Sequence, residues 1–296
     1  MDRIAAGGGR ARGFVSGIRW PEPPAGFVLR AGGDRALYVA EAFEGELCLR
    51  GLHDENGWDN ALATGARGSG RGTTAIVPGP TGTPWRLKRM RRGGSLAPLW
   101  RDRYVTAGRP VATLAATEKV RARGVPTAAP IALSLASGRG GLVEAAMAVE
   151  EIERSEDLAR RIVSGRATGE ELAAAVNAVR AMHDRGVVHP DLNLGNILLR
   201  PGPGAAPEAF VIDFDRATFT PGPVPFALRQ AAVRRLERSC AKLTGAPGPA
   251  GDASGDPWYD LYAGADETLA RRFAQGRAAG RLWVAVHRLG WKRSRG

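Results

Sequence analysis

The feature that most constrains this chain is a polar loop followed closely by an acidic strand. The loop HPDLNLGN occupies residues 189–196, and the segment VIDFD follows at residues 211–215. Between them lies a stretch rich in Pro and Gly, residues 200–209, which indicates the turn of a β-hairpin. A hairpin here places the end of its second strand beside the polar loop. The fold therefore has to bring these two sets of oxygen-bearing side chains together.

These side chains suit phosphoryl transfer, which requires held phosphates, neutralised charge and a positioned acceptor oxygen. Asp191 can accept the proton of an acceptor hydroxyl, and Asn196 and Asp213 can offer oxygens to a metal. Mg²⁺ prefers a few such ligands together with substrate phosphates. The pattern predicts Asp191 as the catalytic base and Asn196 and Asp213 as Mg²⁺ ligands. A polar hairpin without catalysis is the alternative, and His189 is interpreted as a supporting residue of the loop.

Composition narrows the class of protein. The 296 residues suit one large domain or two small lobes, and no run of eighteen apolar residues indicates a transmembrane helix. Cys48 and Cys240 are isolated, which argues against a zinc site or disulfide framework and fits a reducing cytoplasm. A net charge of +12 suits an anionic partner, such as nucleic acid, a membrane surface or a phosphorylated substrate. Because aromatic residues do not alternate with the cations, no nucleic acid is expected.

The chain changes texture near its middle. Residues 1–26 are rich in Gly, Arg and Pro and are interpreted as a flexible basic arm. Residues 27–150 predict short strands and one helix, whereas residues 151–296 predict mainly helices. Within the second part, Thr168 and Glu171 have capping-box spacing at the start of a helix that stops at Gly186. The prediction is an α+β chain with a β-rich first lobe and a helical second lobe.

The quoted motifs carry a resemblance. HPDLNLGN and IDFD resemble the catalytic and metal-binding loops of the protein-kinase-like superfamily, which implies a bilobal fold with a reduced helical C-lobe. Pro190 replaces the Arg of the protein-kinase motif, Asn193 replaces the Lys two residues after the catalytic Asp, and Asp215 replaces the last Gly. These departures favour a branch that acts on small molecules over a regulated protein kinase.

Within that branch, five segments taken in order resemble the 3-deoxy-D-manno-octulosonic acid (Kdo) kinase family of lipopolysaccharide core kinases. The segments are GRGTT, RRGG, GVPTAAP, HPDLNLGNILL and IDFDRA. The resemblance implies ATP-dependent phosphorylation of the Kdo sugar on lipid A, at its 4-hydroxyl. It also implies a peripheral position on an anionic membrane surface, at the cytoplasmic face of the inner membrane of a Gram-negative bacterium. A neighbouring core heptose is an alternative acceptor.

The kinase resemblance also points to nucleotide-binding residues in the first lobe. Gly68, Gly70 and Gly72 precede a predicted strand and can let main-chain N–H groups approach the phosphates of ATP, although a plain hairpin turn fits them too. Lys88 best matches the phosphate-binding Lys of the third strand, with Arg86 and Arg89 as rivals. Glu118 is the carboxylate within the next helix that could pair with it. The family usually has an acid earlier in that helix.

Two groups of cations can serve an anionic acceptor. Arg91, Arg92, Arg101 and Arg103 follow the third strand and could bind the phosphates of lipid A or the carboxylate of Kdo. The later segment RQAAVRRLERSCAKL could form a helix that lies on anionic lipid, and a solubilising Arg face explains it equally well.

Two further functions stay open from the sequence. An aminoglycoside- or choline-type phosphotransferase has similar loops, but a protein with a charge of +12 repels a cationic acceptor. A non-catalytic pseudokinase scaffold at the membrane is the other alternative. The presence of Asp191, Asn196 and Asp213 argues against it.

Overall fold

The computed structural model describes residues 19–53, 55–64, 66–67, 74–90, 103–138, 141–245 and 257–276. The chain divides into two compact units. The first unit comprises residues 1–118 and 128–151, and the second comprises residues 119–127 and 152–296. A β-rich first half and a helical second half are therefore confirmed, and with them the α+β class.

An antiparallel sheet forms the centre of the first unit. Its strands are Phe27–Gly32 (β1), Arg35–Ala40 (β2), Ala66–Arg67 (β3), Thr74–Val77 (β4), Trp85–Arg89 (β5), Arg103–Tyr104 (β6), Pro130–Ser137 (β7) and Val143–Glu150 (β8). They are ordered β1-β2-β7-β8-β5-β4-β3, and β6 pairs with β8. The central strands β7 and β8 read PIALSLAS and VEAAMAVE and are almost wholly buried, because apolar cores cover both faces of the sheet.

Three α-helices accompany this sheet among the residues that the structure describes. They are Glu44–Leu49 (α1), Glu55–Thr64 (α2) and Gly108–Ala122 (α3). One core cluster gathers Trp58 of α2 with Trp85 of β5, and the other gathers Leu114 of α3 with Tyr38 of β2. The sequence predicts α3 and a helical turn near α1 but not α2, whose weakly amphipathic sequence ENGWDNALAT gives little periodicity.

Part of the segment that composition assigns to a flexible N-terminal arm is packed in the structure. Trp20 packs against the core cluster that contains Leu114 and Tyr38, and the Tyr38 hydroxyl donates a hydrogen bond of 2.7 Å to the carbonyl of Pro21. The Pro-rich segment from residue 19 onward is therefore part of the folded first unit. Residues 1–18 lie outside the described residues.

The second unit is built around a central helix. Its helices are Leu158–Val163 (α4), Gly169–Asp184 (α5), Phe226–Thr244 (α6) and Pro257–Ala263 (α7), and residues 267–276 are also helical. Its short strands are Glu156–Asp157 (β9), Val187–Val188 (β10), Ile197–Pro201 (β11), Pro207–Val211 (β12) and Thr218–Phe219 (β13). The capping box predicted at Thr168 and Glu171 is confirmed at the start of α5.

Helix α5 supplies the hydrophobic centre of this unit. Its buried positions Val176, Val179 and Met182 pack in one cluster with the β11–β12 hairpin and the buried face of α6. The hairpin pairs Ile197 with Val211, as the turn between the two motifs predicts. The polar loop before Ile197 and the acidic segment after Val211 therefore leave the same end of the hairpin.

The end of α3 belongs to the second unit, which the sequence does not predict. The Arg123 guanidinium donates hydrogen bonds to the carbonyls of Arg185 at 2.8 Å and Gly186 at 2.9 Å. The amide of Val211 donates to the carbonyl of Pro126 at 3.1 Å. These long-range bonds explain why residues 119–127 group with the second unit, whereas sequence texture alone places them in the first lobe.

Among the described residues, no helix is both long and apolar enough to span a membrane.

Candidate active site

The polar loop at residues 189–196 is held by its own main-chain and amide groups. The main-chain carbonyl of Asp191 accepts hydrogen bonds from two side chains, Asn193 Nδ2 at 2.9 Å and Asn196 Nδ2 at 3.0 Å. The side chain of Asp191 is exposed. The two amides fix the backbone of Asp191, so its carboxylate starts from a defined position at the surface of the second unit.

A single 3-10 turn, Leu194–Asn196, carries the predicted metal ligand Asn196. Asn193 caps this turn, because its Oδ1 accepts a hydrogen bond of 2.9 Å from the amide of Gly195. Leu194 anchors the turn in the core. Since the amide nitrogen of Asn196 is engaged by Asp191, its side-chain oxygen is the atom left to face a cation.

The second predicted ligand lies directly beside this turn. The main-chain carbonyl of Asn196 accepts a hydrogen bond of 2.9 Å from the amide of Ile212, the residue before Asp213. Asp213 is exposed and has a left-handed backbone with φ of 67°. Asp adopts this region more readily than most residues, and such strain persists only where the surroundings fix it. Here the next residue, Phe214, is buried in the core and fixes the chain beyond Asp213.

His189 connects the polar loop to the end of strand β12 on the buried side. It is buried, its Nε2 lies 3.1 Å from the carbonyl of Ile212, and its ring lies 5.1 Å from the ring of Phe214. Burial lowers the pKa of His189, although the bond to Ile212 and the carboxylates of Asp213 and Asp191 oppose the change. A neutral ring therefore donates from Nε2, and it links the backbones on which Asp191 and Asp213 stand.

The first unit carries the cations predicted to hold phosphates. Lys88 lies in β5, between β4 and β8, where it is opposite Thr74 and Met147. Its two rivals are committed to carboxylates. Arg86 forms a two-pronged ion pair with Glu151 at 2.5 Å, and Arg89 pairs with Asp59 at 2.7 Å. Both arginines are therefore held in ion pairs, and the role of Lys88 in binding phosphates stays a prediction.

The remaining nucleotide-binding predictions concern Glu118 and a group of glycines. Glu118 lies in α3 and is half-buried, and the first turn of α3 contains no acid. Pairing of Glu118 with Lys88 stays a prediction. Gly68, Gly70 and Gly72 lie outside the described residues, as do Arg91, Arg92 and Arg101, whereas Arg103 is exposed and pairs with Glu144 at 3.3 Å.

A family model of known proteins matches this chain over residues 58–250, and its description is "Lipopolysaccharide kinase (Kdo/WaaP) family". The chain belongs to this family. The match spans both the strands that carry Lys88 and the loop that carries Asp191. The family predicted from the sequence motifs is thereby confirmed.

Curated 3-deoxy-D-manno-octulosonic acid kinases are similar to this chain over more than half of its length. A 3-deoxy-D-manno-octulosonic acid kinase of Photobacterium profundum is 31% identical over 196 residues, which cover 65% of this chain and 79% of the relative. One of Xylella fastidiosa is 32% identical over 178 residues, which cover 59% of this chain and 65% of the relative. The solved structure "WaaP in complex with acyl carrier protein" matches with a TM-score of 0.47 and 18% identity, covering 83% of this chain and 99% of that chain.

The oxygen ligands of this Kdo/WaaP family member fit Mg²⁺. The set consists of one exposed carboxylate at Asp213 and one amide oxygen at Asn196, on adjacent and rigidly held backbones. No cluster of three or more His, Cys, Asp and Glu side chains that could hold a metal occurs within the part of the chain that the structure describes. A sparse set is what Mg²⁺ uses when substrate phosphates and waters supply the remaining ligands. Asn196 and Asp213 would hold the ion.

Sequence reasoning missed two residues that serve this loop. Asn193 was noted only as a departure from the protein-kinase pattern, yet it caps the turn and binds the carbonyl of Asp191. Ser239 of α6 accepts a hydrogen bond of 3.3 Å from the amide of Leu194. An Asn placed before a short polar turn is a recognisable capping signal, whereas nothing local in the sequence pairs Ser239 with Leu194.

Proposed function

We propose that this chain is an ATP-dependent kinase that phosphorylates the Kdo sugar of the lipopolysaccharide inner core on lipid A, at the 4-hydroxyl. Membership of the lipopolysaccharide kinase family and the names of the curated relatives support the reaction and the acceptor. The observation that carries the proposal is the pairing of an exposed, backbone-fixed Asp191 with the adjacent ligands Asn196 and Asp213.

We assign Asp191 as the general base. Its carboxylate is exposed while its main chain is fixed by two amides, so it can receive an acceptor hydroxyl without rearrangement of the loop. In the proposed reaction Asp191 takes the hydroxyl proton as the acceptor oxygen bonds to the γ-phosphorus. The bond from that phosphorus to the bridging oxygen of ATP breaks, and its electron pair stays on ADP.

The remaining residues of the proposed site would bind the metal ion and the phosphates of ATP. When bound, Mg²⁺ and ATP supply the neutralising cation and the transferred phosphoryl group. Asn196 and Asp213 would hold the ion, and Lys88, together with Gly68, Gly70 and Gly72, would hold the phosphates. Phosphoryl transfer depends on such positioning more than on covalent chemistry, which explains why so few side chains carry it.

The acceptor also sets the place of the reaction. Kdo on lipid A is anchored in a bilayer and ATP is inside the cell, so we place the kinase at the cytoplasmic face of the inner membrane. A net charge of +12 supports attraction to an anionic surface there.

The test is transfer of one phosphate from ATP to purified Kdo-lipid A, followed by mass spectrometry, with NMR to locate the phosphate on the sugar. Asp191→Asn and Asp213→Asn should each lower turnover by about 10²–10⁴-fold, the range of acid–base and ligand contributions. Asp260→Asn, an exposed carboxylate on α7, makes the same change of charge and should leave turnover unaltered.

Three results would contradict the proposal. Wild-type turnover by Asp191→Asn would show that Asp191 is not the base. Phosphate on another hydroxyl or on a heptose would show that the assigned acceptor is wrong. Turnover of choline or an aminoglycoside in place of Kdo-lipid A would assign the chain to the phosphotransferases with cationic acceptors.

A further inference from the structure

A row of cations borders the catalytic loop on helix α6. Ser239 marks the side of α6 that meets the loop, because its Oγ accepts a hydrogen bond of 3.3 Å from the amide of Leu194. Arg235 lies one helical turn before Ser239 and therefore on the same side. Arg238 and Lys242 continue the row at spacings of three and four residues. We call Arg235, Arg238 and Lys242 the basic stripe.

The basic stripe has no carboxylate partner within the part of the chain that the structure describes. Other arginines of the same unit do pair, as Arg161 does with Glu171 at 2.6 Å and Arg180 with Asp266 at 3.0 Å. Arg238 and Lys242 are exposed, but Arg235 is half-buried. A partly desolvated guanidinium without an anion is costly unless a ligand supplies one.

Arg235 and the two carboxylates of the candidate site all influence the same buried histidine. Burial is the main cause that lowers the pKa of His189, and among the surrounding charges Asp213 and Asp191 raise it whereas Arg235 lowers it. All three charges therefore act on one buried ring. Since Ser239 already brings α6 against the turn that carries Asn196, contact geometry and charge agree on where Arg235 lies.

We propose that the basic stripe binds the anionic groups of the acceptor, a carboxylate or phosphate of the glycolipid, with Arg235 as the specificity-determining residue. The proposal rests on the proposed function and extends it. The nucleotide phosphates have their own cations in Lys88 and the metal, whereas the stripe lies on the unit that carries the base. A guanidinium matches a carboxylate or phosphate with two parallel hydrogen bonds, and it repels a cationic acceptor.

The test separates acceptor binding from nucleotide binding and from general attraction to a membrane. Arg235→Gln, Arg238→Gln and Arg235→Lys are compared with Arg234→Gln. Arg234 is exposed on the same helix and has no partner among the described residues. It lies about 140° around the helix axis from Ser239 and about 100° from Arg235, but one turn before Arg238, so it is the control for the Arg235 variants. Four quantities are measured: the KM for Kdo-lipid A, the KM for ATP, equilibrium binding of fluorescent Kdo-lipid A in detergent, and binding to phosphatidylglycerol vesicles.

Arg235→Gln should raise the acceptor KM and the dissociation constant of the glycolipid about tenfold to hundredfold, the loss expected for a charge-assisted hydrogen bond. The KM for ATP should not change. Arg235→Lys should recover part of the affinity, and Arg234→Gln should match the wild type with the glycolipid. With vesicles, Arg234→Gln and Arg235→Gln should behave alike, because only net charge matters there.

Unchanged glycolipid affinity in Arg235→Gln, an equal loss in Arg234→Gln, or a rise confined to the KM for ATP would each overturn the basic stripe as an acceptor site. The two proposals fail separately. A wild-type protein that binds the glycolipid through Arg235 but transfers no phosphate contradicts the proposed function and keeps the stripe. Normal phosphate transfer by the wild type, with an unaltered acceptor KM in Arg235→Gln, supports the proposed function and contradicts the basic stripe as an acceptor site.

Discussion

A buried histidine should make the second unit sensitive to mild acid. His183, near the end of α5, is 1% exposed, and its Nδ1 lies 2.7 Å from the hydroxyl of Tyr262 on α7. The Arg229 guanidinium of α6 donates to the same hydroxyl at 3.4 Å and to Asp184 at 2.5 Å. With Arg229 donating to it, the hydroxyl of Tyr262 donates in turn to a neutral His183. Protonation of His183 at Nδ1 therefore breaks a hydrogen bond and places a cation beside Arg229.

The magnitude follows from the pKa of His183. Burial lowers this pKa to about 3, and the charges of Arg229 and His189 act in the same direction. In the unfolded chain the group titrates near 6.5, so below that pH the unfolded state binds a proton that the folded state does not. Stability is then full above the unfolded pKa and falls by about 1.4 kcal/mol per pH unit towards pH 3. Between pH 7 and pH 5, His183 alone should cost about 2 kcal/mol.

Urea unfolding of the wild type and of His183→Phe, followed by circular dichroism between pH 7 and pH 5, measures this contribution. The Phe variant should be less stable at pH 7, but its free energy of unfolding should fall by about 2 kcal/mol less across the range. His53→Gln, which removes an exposed histidine from the first unit, should follow the wild-type curve. Parallel curves for the wild type and His183→Phe would refute the argument.

Two further substitutions test how the loop and its helix are held. Ser239→Ala leaves the amide of Leu194 without its partner and should destabilise the turn by about 1 kcal/mol. The expected readout is a higher Mg²⁺ concentration at half-maximal rate. Ser239→Thr keeps the hydroxyl and should restore the wild-type Mg²⁺ requirement. Gly186→Ala should lower the free energy of unfolding by more than about 2 kcal/mol, because a Cβ at φ of 70° meets the carbonyl of Gly222. Gly165→Ala, at φ of 68° with open space around it, should cost only about 1 kcal/mol. Equal losses in the two glycine variants, or a Mg²⁺ requirement that Ser239→Ala leaves unchanged, would contradict these expectations.

The parts of the fold that sequence predicts well are those with local signals. The capping box at Thr168 and Glu171 specifies the start of α5, and the structure begins the helix there. The Pro- and Gly-rich turn specifies the β11–β12 hairpin, whose pairing of Ile197 with Val211 sets Asn196 beside Asp213. The spacing therefore predicts that Asn196 and Asp213 come together, because each residue adjoins a strand that the sequence marks, and the structure sets their backbones side by side.

What the sequence does not reveal depends on partners far along the chain. Arg86 and Lys88 alternate on one strand and look equivalent in the sequence, and the ion pair of Arg86 with Glu151 is visible only in the structure. The association of His183 with Tyr262 joins residues 79 positions apart. Helix α7 follows a Pro/Gly-rich segment and its seven residues are too few for a periodic signal, so it is missed.

The replacement at Asn193 connects the loop to the basic stripe. In the protein-kinase pattern a Lys stands two residues after the catalytic Asp. Here Asn193 takes that position, and its side chain caps the turn and donates a hydrogen bond to the carbonyl of Asp191. The loop thereby gains rigidity and loses a cation next to the base. An anionic acceptor requires a cation there, and in our proposal Arg235 supplies it, since it stands one turn before Ser239, which contacts Leu194. A cation on a neighbouring helix can vary without disturbing the loop that positions Asp191. This division lets acceptor recognition change while the chemistry of the loop stays the same.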